Sequence, residues 1–313
     1  MIWRRVLQTM LLLLAVSAAW FALLAASPGD YFDLQRLDPR VSAATVDKLR
    51  AEYGLTKPWW VRYGDWLVSV AHGEMGVSIV YNEPVADLLL PRCANTLLLT
   101  LTSTALAWGL ALPAGLWAAV RRGGGIDHVW NVAAGLLLAI PELLLGTLLV
   151  YWAAGSARWP AGGMRSAQDG GLLDILRHLA LPAGVLAAGL FPIVFRHFRN
   201  ALAEASGLPF VRAARAVGVS PPRIWLHSVL RVAANPMISL LGLSIGGILS
   251  SSLLAEVIFG WPGLGPLFVE AVMTKDTYLV LAPVMFSAVA LAVGNLLADL
   301  LLMWNDPRIR AAG

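Results

Sequence analysis

Phe210-Val211-Arg212-Ala213-Ala214-Arg215-Ala216-Val217-Gly218-Val219-Ser220-Pro221-Pro222 lies in the one long hydrophilic interruption of the chain's C-terminal half, Arg196 to Arg231. That interruption carries Arg196, Arg199, Arg212, Arg215, Arg223 and Arg231 against a single local acid, Glu204. It reads as a short helix, a stop and a second helix start. Pro209 suits a first helical turn, where its missing N–H costs nothing, and Gly218 suits the left-handed position after a last turn. Ser220 is placed to cap the next helix, with Pro221 at its first position. A small, alanine-rich basic helix between apolar segments has the form of a docking peg.

The segments around it are apolar enough to settle the fold class. Of the 313 residues 58% are hydrophobic and 13% charged, and the mean hydropathy of +0.70 lies outside the range of soluble domains of this length. The chain is therefore expected to be an all-α integral membrane protein. A net charge of +4 could suggest nucleic acid, but the arginines lie beside apolar spans and form no basic domain face, so no nucleic-acid partner is expected. Cys93 is the single cysteine, which excludes an intrachain disulfide and a cysteine-based metal cluster.

Arg4 and Arg5 precede an apolar run from Val6 to Ala26, which at ~1.5 Å per residue can cross a ~30 Å hydrocarbon core. A cleaved signal peptide is the rival, with Ala25-Ala26-Ser27 as its cut site. The apolar run exceeds the usual ~7–15 residues, so 1–26 is read as an uncleaved transmembrane helix. Residues 27–95 form the sizeable polar region, expected to be an extracytoplasmic loop with short interfacial helices. Within it Ser42 to Tyr53 reads as a capped helix ending at Gly54. Trp59, Tyr63 and Trp66 then recur at helical spacing, which suits a helix lying in the headgroup layer at the outer surface. An aromatic ligand box is the other reading of those rings.

Five further spans follow, at about Thr96–Val120, Val129–Ala154, Leu179–Phe195, Val232–Leu254 and Leu279–Met303, making six. Prolines 113, 141, 182, 192, 236 and 283 fall inside them, so the bundle must re-satisfy the freed carbonyls internally. Residues 96–303 are taken as a five-helix core containing the hydrophilic loop 196–231, and 304–313 as a tail. Arg4, Arg5, Arg121, Arg122, the six arginines of 196–231, Arg308 and Arg310 fall on one side. The short loops opposite carry only Arg158, Arg165, Arg177 and Lys275. Both termini and the 196–231 loop are thus expected in the cytoplasm.

Catalytic patterns are missing from the sequence. His72, His128, His178, His197 and His227 are scattered, with no His-Glu-x-x-His or Cys-x-x-Cys spacing. No Gly-x-x-x-x-Gly-Lys-Ser/Thr loop occurs, and Gly123-Gly124-Gly125 reads as a turn. If ATP drives this protein, another chain binds it. Among acids in or beside the spans, Glu142 follows Pro141, where the third span is expected to break. An intramembrane carboxylate is a functional candidate, so Pro141 and Glu142 are substrate-path candidates, with satisfaction by a surface or internal donor as the alternative. Glu256 and Asp299 lie near span ends and read as structural hydrogen-bonding groups.

Residues Arg212-Ala213-Ala214-Arg215-Ala216-Val217-Gly218, followed by Leu230, resemble the cytoplasmic "EAA" loop of binding-protein-dependent ABC importer permeases. More specifically the chain resembles the first (B-type) subunit of the dipeptide/oligopeptide/nickel permease family. The likeness runs through Pro28-Gly29-Asp30, Tyr53-Gly54-Leu55-Thr56-Lys57-Pro58, Tyr63-Gly64-Asp65-Trp66-Leu67 and Gly73-Glu74-Met75-Gly76-Val77-Ser78. Its most specific parts are Ile258-Phe259-Gly260-Trp261-Pro262-Gly263-Leu264-Gly265 and Asn305-Asp306-Pro307-Arg308-Ile309-Arg310. Arg212 stands at the general motif's glutamate position, Val217 where a basic residue is frequent, and Arg231 in place of the final proline.

The resemblance implies a type I ABC importer fold in the bacterial cytoplasmic (inner) membrane and half of a heterodimeric pore. It implies a second permease subunit, two ATPase subunits that bind ATP and Mg, and an extracytoplasmic substrate-binding protein as partners, with no cofactor on this chain and no enzymatic activity of its own. Phe210, Arg212, Ala213, Ala214, Arg215, Gly218 and Leu230 are then the expected ATPase-coupling residues. Di- or oligopeptide is the expected cargo, since no His-rich or Cys-rich lining points to metal, with nickel chelate and glutathione as alternatives. The competing class, a stand-alone secondary transporter, predicts inverted repeats and an ion-linked acid at mid-membrane. No clear repeat is visible, and only Glu142 is placed for the second role.

Overall fold

The computed structural model describes residues 2–35, 42–156, 158–166 and 170–305. The helices are α1 (Ile2–Ala26), α2 (Tyr31–Gln35), α3 (Ala43–Glu52), α4 (Trp59–Ala71), α5 (Val85–Val120), α6 (Gly125–Ala139) and α7 (Glu142–Ala154). They continue with α8 (Leu172–Ser206), α9 (Pro209–Ala216), α10 (Pro221–Ile224), α11 (Leu230–Ile258), α12 (Leu264–Met273) and α13 (Thr277–Asn305), with a π-helical turn at Trp225–Val229 before α11. Among the described residues the only extended pairing is an isolated bridge between Val77 and Pro84. The closing motif from Asp306 onward, with Arg308 and Arg310, lies outside the described residues.

Among the described residues five helical stretches are long and apolar enough to cross a membrane, and six if α6 and α7, bent by 88°, are taken as one span. The break falls at Ile140-Pro141, as the sequence leads one to expect. Ile140 takes extended backbone (φ −90, ψ 118), the conformation a following proline favours. Pro113, Pro182, Pro192, Pro236 and Pro283 stay inside continuous helices. The helices also outrun the apolar windows: α5 begins at Val85, ahead of Thr96, and α8 extends beyond Leu179–Phe195 at both ends. Hydropathy marks only the part of a helix that sits in hydrocarbon, whereas backbone hydrogen bonding continues until a glycine or capping residue stops it.

The chain divides into two compact units, one comprising Met1–Thr96 with Pro262–Val289 and the other Leu97–Trp261 with Ala290–Gly313. In the first, α3 is capped as its sequence predicts, the Ser42 hydroxyl accepting from the Thr45 N–H, and Gly54 follows it at φ +67. Arg50 on α3 pairs with Asp30 (2.8 Å) and Asp33 (2.5 Å). The hydrogen bond to Asp30 pushes the guanidinium further up from its ordinary value. The Tyr81 hydroxyl donates to Glu270 (2.6 Å), a contact that, with burial, raises the phenol above its ordinary value.

Asp276, fully enclosed, accepts from the Ser78 hydroxyl (2.6 Å) and from the N–H groups of Ile79 (2.7 Å), Val80 (3.2 Å) and Leu279 (3.3 Å). One carboxylate thereby caps α13 and pins the segment 78–80. The aromatic stripe of α4 makes intramolecular contacts. Trp66 is buried with Phe21 and Leu281, Trp59 and Tyr63 pack against that cluster, and the Tyr63 hydroxyl donates to the Leu14 carbonyl (3.1 Å). Trp60, 61% exposed, is the outward ring. The i, i+4, i+7 stripe is the apolar side of α4, and it packs against α1.

In the second unit the core is built mainly on α8, whose Leu186, Val194, Phe195 and Leu202 are almost wholly buried, with small residues of α5 (Ala107, Ala111, Ala118) against it. Gly242 of α11 faces α13 at close range. A Cβ added there would lie 2.8 Å from that of Ala298, so the two helices meet through small residues, as membrane helices commonly do. Glu256 is wholly enclosed in α11.

Candidate functional site

Helix α9 is held to the second unit by one face only. Val211 is fully buried and Ala214, three residues on, packs partly against the same cluster, as i, i+3 spacing requires. Phe210 keeps 41% and Val217 79% of its surface exposed, and Arg212, Ala213, Arg215 and Ala216 are exposed with them. Exposed apolar and guanidinium groups on one short helix form a surface suited to a protein partner carrying acids or carbonyls.

The end of α9 is geometrically fixed. Gly218 adopts φ +81, its N–H donates to the Arg215 carbonyl (3.1 Å), and the Val219 N–H reaches back to Ala214 (3.1 Å). These are the paired bonds of a Schellman motif, and Val219 packs inward beside Ala214. Pro209 occupies the first turn. Ser220 stands at the N-cap of α10 as its sequence suggests, but its side chain makes no cap bond. Pro222 at the second helical position has no N–H to offer it, and the N–H of Arg223 at the third goes to the Ser220 carbonyl (3.1 Å). Leu230 does not share the exposed surface of α9; it begins α11 and packs against the core.

Arg199 corrects the picture of a loop with a single balancing acid. Its Nε and Nη2 donate to the two oxygens of Asp127 on α6 (2.6 and 2.7 Å). Asp127 also accepts from the Gly123 N–H (2.9 Å) and the Asn131 amide (2.8 Å). This half-buried bidentate pair ties the end of α8 that leads into α9 to the turn at Gly123. The signal was an aspartate in the first turn of a helix after a glycine run, four residues before an asparagine. Sequence distance hid its partner.

Pro141 and Glu142 come together at the start of α7. Pro141 is its N-cap, so the carboxylate of Glu142 sits in the first turn, where the unpaired N–H groups favour negative charge. Glu142 lines a common cavity with Ser251 of α11 and lies across Gly189 of α8. A Cβ added at Gly189 would fall 1.7 Å from Glu142 Oε1, so only glycine leaves the carboxylate its place. Beside it is a cavity of about 250 Å³ lined by α8 and α11. Ser251 and Gly189 were not singled out in the sequence, since neither type is distinctive inside an apolar run.

The broken third span, the long flanking helices and the short, exposed basic helix between α8 and α11 together make an all-helical membrane architecture. The chain is similar in fold, at 17% identity and a TM-score of 0.57, to a chain of the inward-facing MetNI methionine ABC transporter, covering 70% of this chain and 96% of that one. It belongs to the family of binding-protein-dependent transport system inner membrane components, whose profile matches residues 111–311, with the corresponding N-terminal profile on residues 1–100. It is 36% identical to the oligopeptide transport system permease protein AppB of Bacillus subtilis (strain 168) over 98% of both chains. It is 31% identical to the dipeptide transport system permease protein DppB of Escherichia coli (strain K12), over 95% of this chain and 94% of that one. The protein is thus a multi-pass inner-membrane permease.

Proposed function

We propose that this chain forms half of the translocation pore of an ATP-driven importer of di- and oligopeptides. A second permease subunit completes the pore, two ATPase subunits supply the work, and an extracytoplasmic binding protein delivers the cargo. The observation that carries the reading is the exposed face of α9, with Phe210, Arg212, Ala213 and Arg215 outward and Val211 anchored inward. A helix so held moves with the core when a partner pushes on it. The alanines allow close approach and the arginines can pair with acids or carbonyls of an ATPase. The termini and α9 belong on the cytoplasmic side by the arginine distribution. Residues 27–95 belong outside, 96–303 form the core and 304–313 the cytoplasmic tail. Peptide as cargo is supported by the names of the relatives.

The test is co-purification of the ATPase subunits with the permease pair. Reversing charge at both exposed positions, Arg212→Glu with Arg215→Glu, leaves the buried anchor intact. The expected result is at least a tenfold drop in retained ATPase, the scale of two charge-assisted contacts. Undiminished retention together with native peptide uptake would overturn the assignment of α9.

A further inference from the structure

We infer that Glu142 selects cargo by charge: the cavity beside it admits a cationic nitrogen, either the free ammonium at a peptide's amino end or the basic head of a lysine or arginine side chain. The inference rests on the peptide reading and names the group that the pore recognises.

Glu142 is the only charged residue lining the cavity; Ser244, Ser251 and two glycines are its other non-aliphatic members. The Ser244 hydroxyl is spent on the Leu240 carbonyl (2.7 Å), which leaves the carboxylate and Ser251 as its polar end. A carboxylate has about four acceptor sites, and Ser251, with its single O–H, can fill at most one. The rest of its capacity is open to a donor, and the strongest donor for a carboxylate in an apolar wall is a cation. At about 250 Å³ the space is below the ~300–1,000 Å³ of sites that enclose a whole small ligand. It therefore takes one group of the cargo while the rest remains in the wider path.

The surface onto which the cavity opens agrees. Leu243, Gly247 and Ser250 of α11 are exposed along one side, and a helix face with glycine and serine outward permits close passage of a peptide backbone. The carboxylate is also held in place. It lies against the bare backbone of Gly189 on α8, beside Ser251 of α11 in the cavity wall, so it presents its charge at one position on the helix pair.

The experiment uses the complete assembly, with its second permease, ATPases and binding protein, reconstituted in liposomes. Initial uptake is measured for dialanine, N-acetyl-dialanine and N-acetyl-alanyl-lysine. Two ratios are read in the native protein and in Glu142→Gln: free over acetylated dialanine, and the lysine peptide over acetylated dialanine. Using the same binding protein throughout cancels its own preference. A fall of about tenfold in either ratio is expected, the scale of one charge-assisted hydrogen bond. The first ratio alone falling assigns the slot to the amino end, the second alone to the side chain. Gly189→Ala, which keeps the charge but displaces the carboxylate, is expected to lower the same ratio, and serves if Glu142→Gln assembles poorly. Both ratios unchanged within twofold in both variants would overturn the inference. If the native assembly imports none of the three peptides, the peptide reading falls, and this inference with it.

Discussion

Gly218→Val separates docking from coupling. The left-handed backbone at this position (φ +81) closes the Schellman turn that joins α9 to the helix behind it. A Cβ built there meets nothing within 4 Å, so the substitution produces no clash and its cost is conformational. For a residue other than glycine that cost is about 1–2 kcal/mol, and valine's branched side chain places it at the upper end. The cost corresponds to a factor of roughly 5–30 in the ratio of native to relaxed turn. Relaxation of the turn would release the Val219 N–H from Ala214 and the Gly218-position N–H from Arg215, tipping α9 away from the core without altering its exposed face. In liposomes containing the whole assembly, uptake per ATP hydrolysed is expected to fall, by at most that roughly five- to thirtyfold factor, with the ATPase subunits still bound. Gly218→Asn should lose much less, because asparagine tolerates this conformation. Native uptake per ATP in the valine variant would refute the reasoning, as would equal losses for asparagine and valine, since a strain mechanism must rank them.

The ion pair between Asp127 and Arg199 predicts that Asp127→Asn costs about 3 kcal/mol by stranding a half-buried guanidinium, while the doubly neutral Asp127→Asn with Arg199→Gln recovers most of it. Thermal aggregation midpoints of the detergent-purified protein check this, and equal midpoints for the single and double variants would count against it. Asp276→Ala removes the acceptor shared by Ser78, Ile79 and Val80 and should cost about 2–3 kcal/mol, exposing the chain near Val80 to proteolytic nicking. Unchanged nicking kinetics would show that the carboxylate does not hold that segment.

The span count, the break at Pro141 and the outline of α9 were legible because each depends on local chemistry. Proline at the first turn, glycine after the last and a pre-proline extension at Ile140 are decided by the backbone of a few neighbouring residues. The apolar middles of the spans were legible for the same reason, but their polar ends were not, since a helix needs no apolar residue to continue. What failed to show were pairings made across the chain. Arg199 looked like one more topology-setting arginine until Asp127 met it. The rings of α4 gave no sign in the sequence of their packing on α1, and Ser251 and Gly189 acquire meaning only when α7 and α8 are laid beside α11.

The helical run from Pro221 to Ile258 is unbroken over 38 residues, with a π turn near its start. It begins at the turn that holds α9 and carries Ser251, which lines the cavity beside Glu142, thirty residues further on. At 1.5 Å per residue that is an arm of roughly 45 Å. A tilt of one degree at its base displaces the far end by about 0.8 Å, a quarter of a hydrogen-bond length. Small angular work applied at α9 is thus geared up to the scale on which a carboxylate gains or loses a ligand.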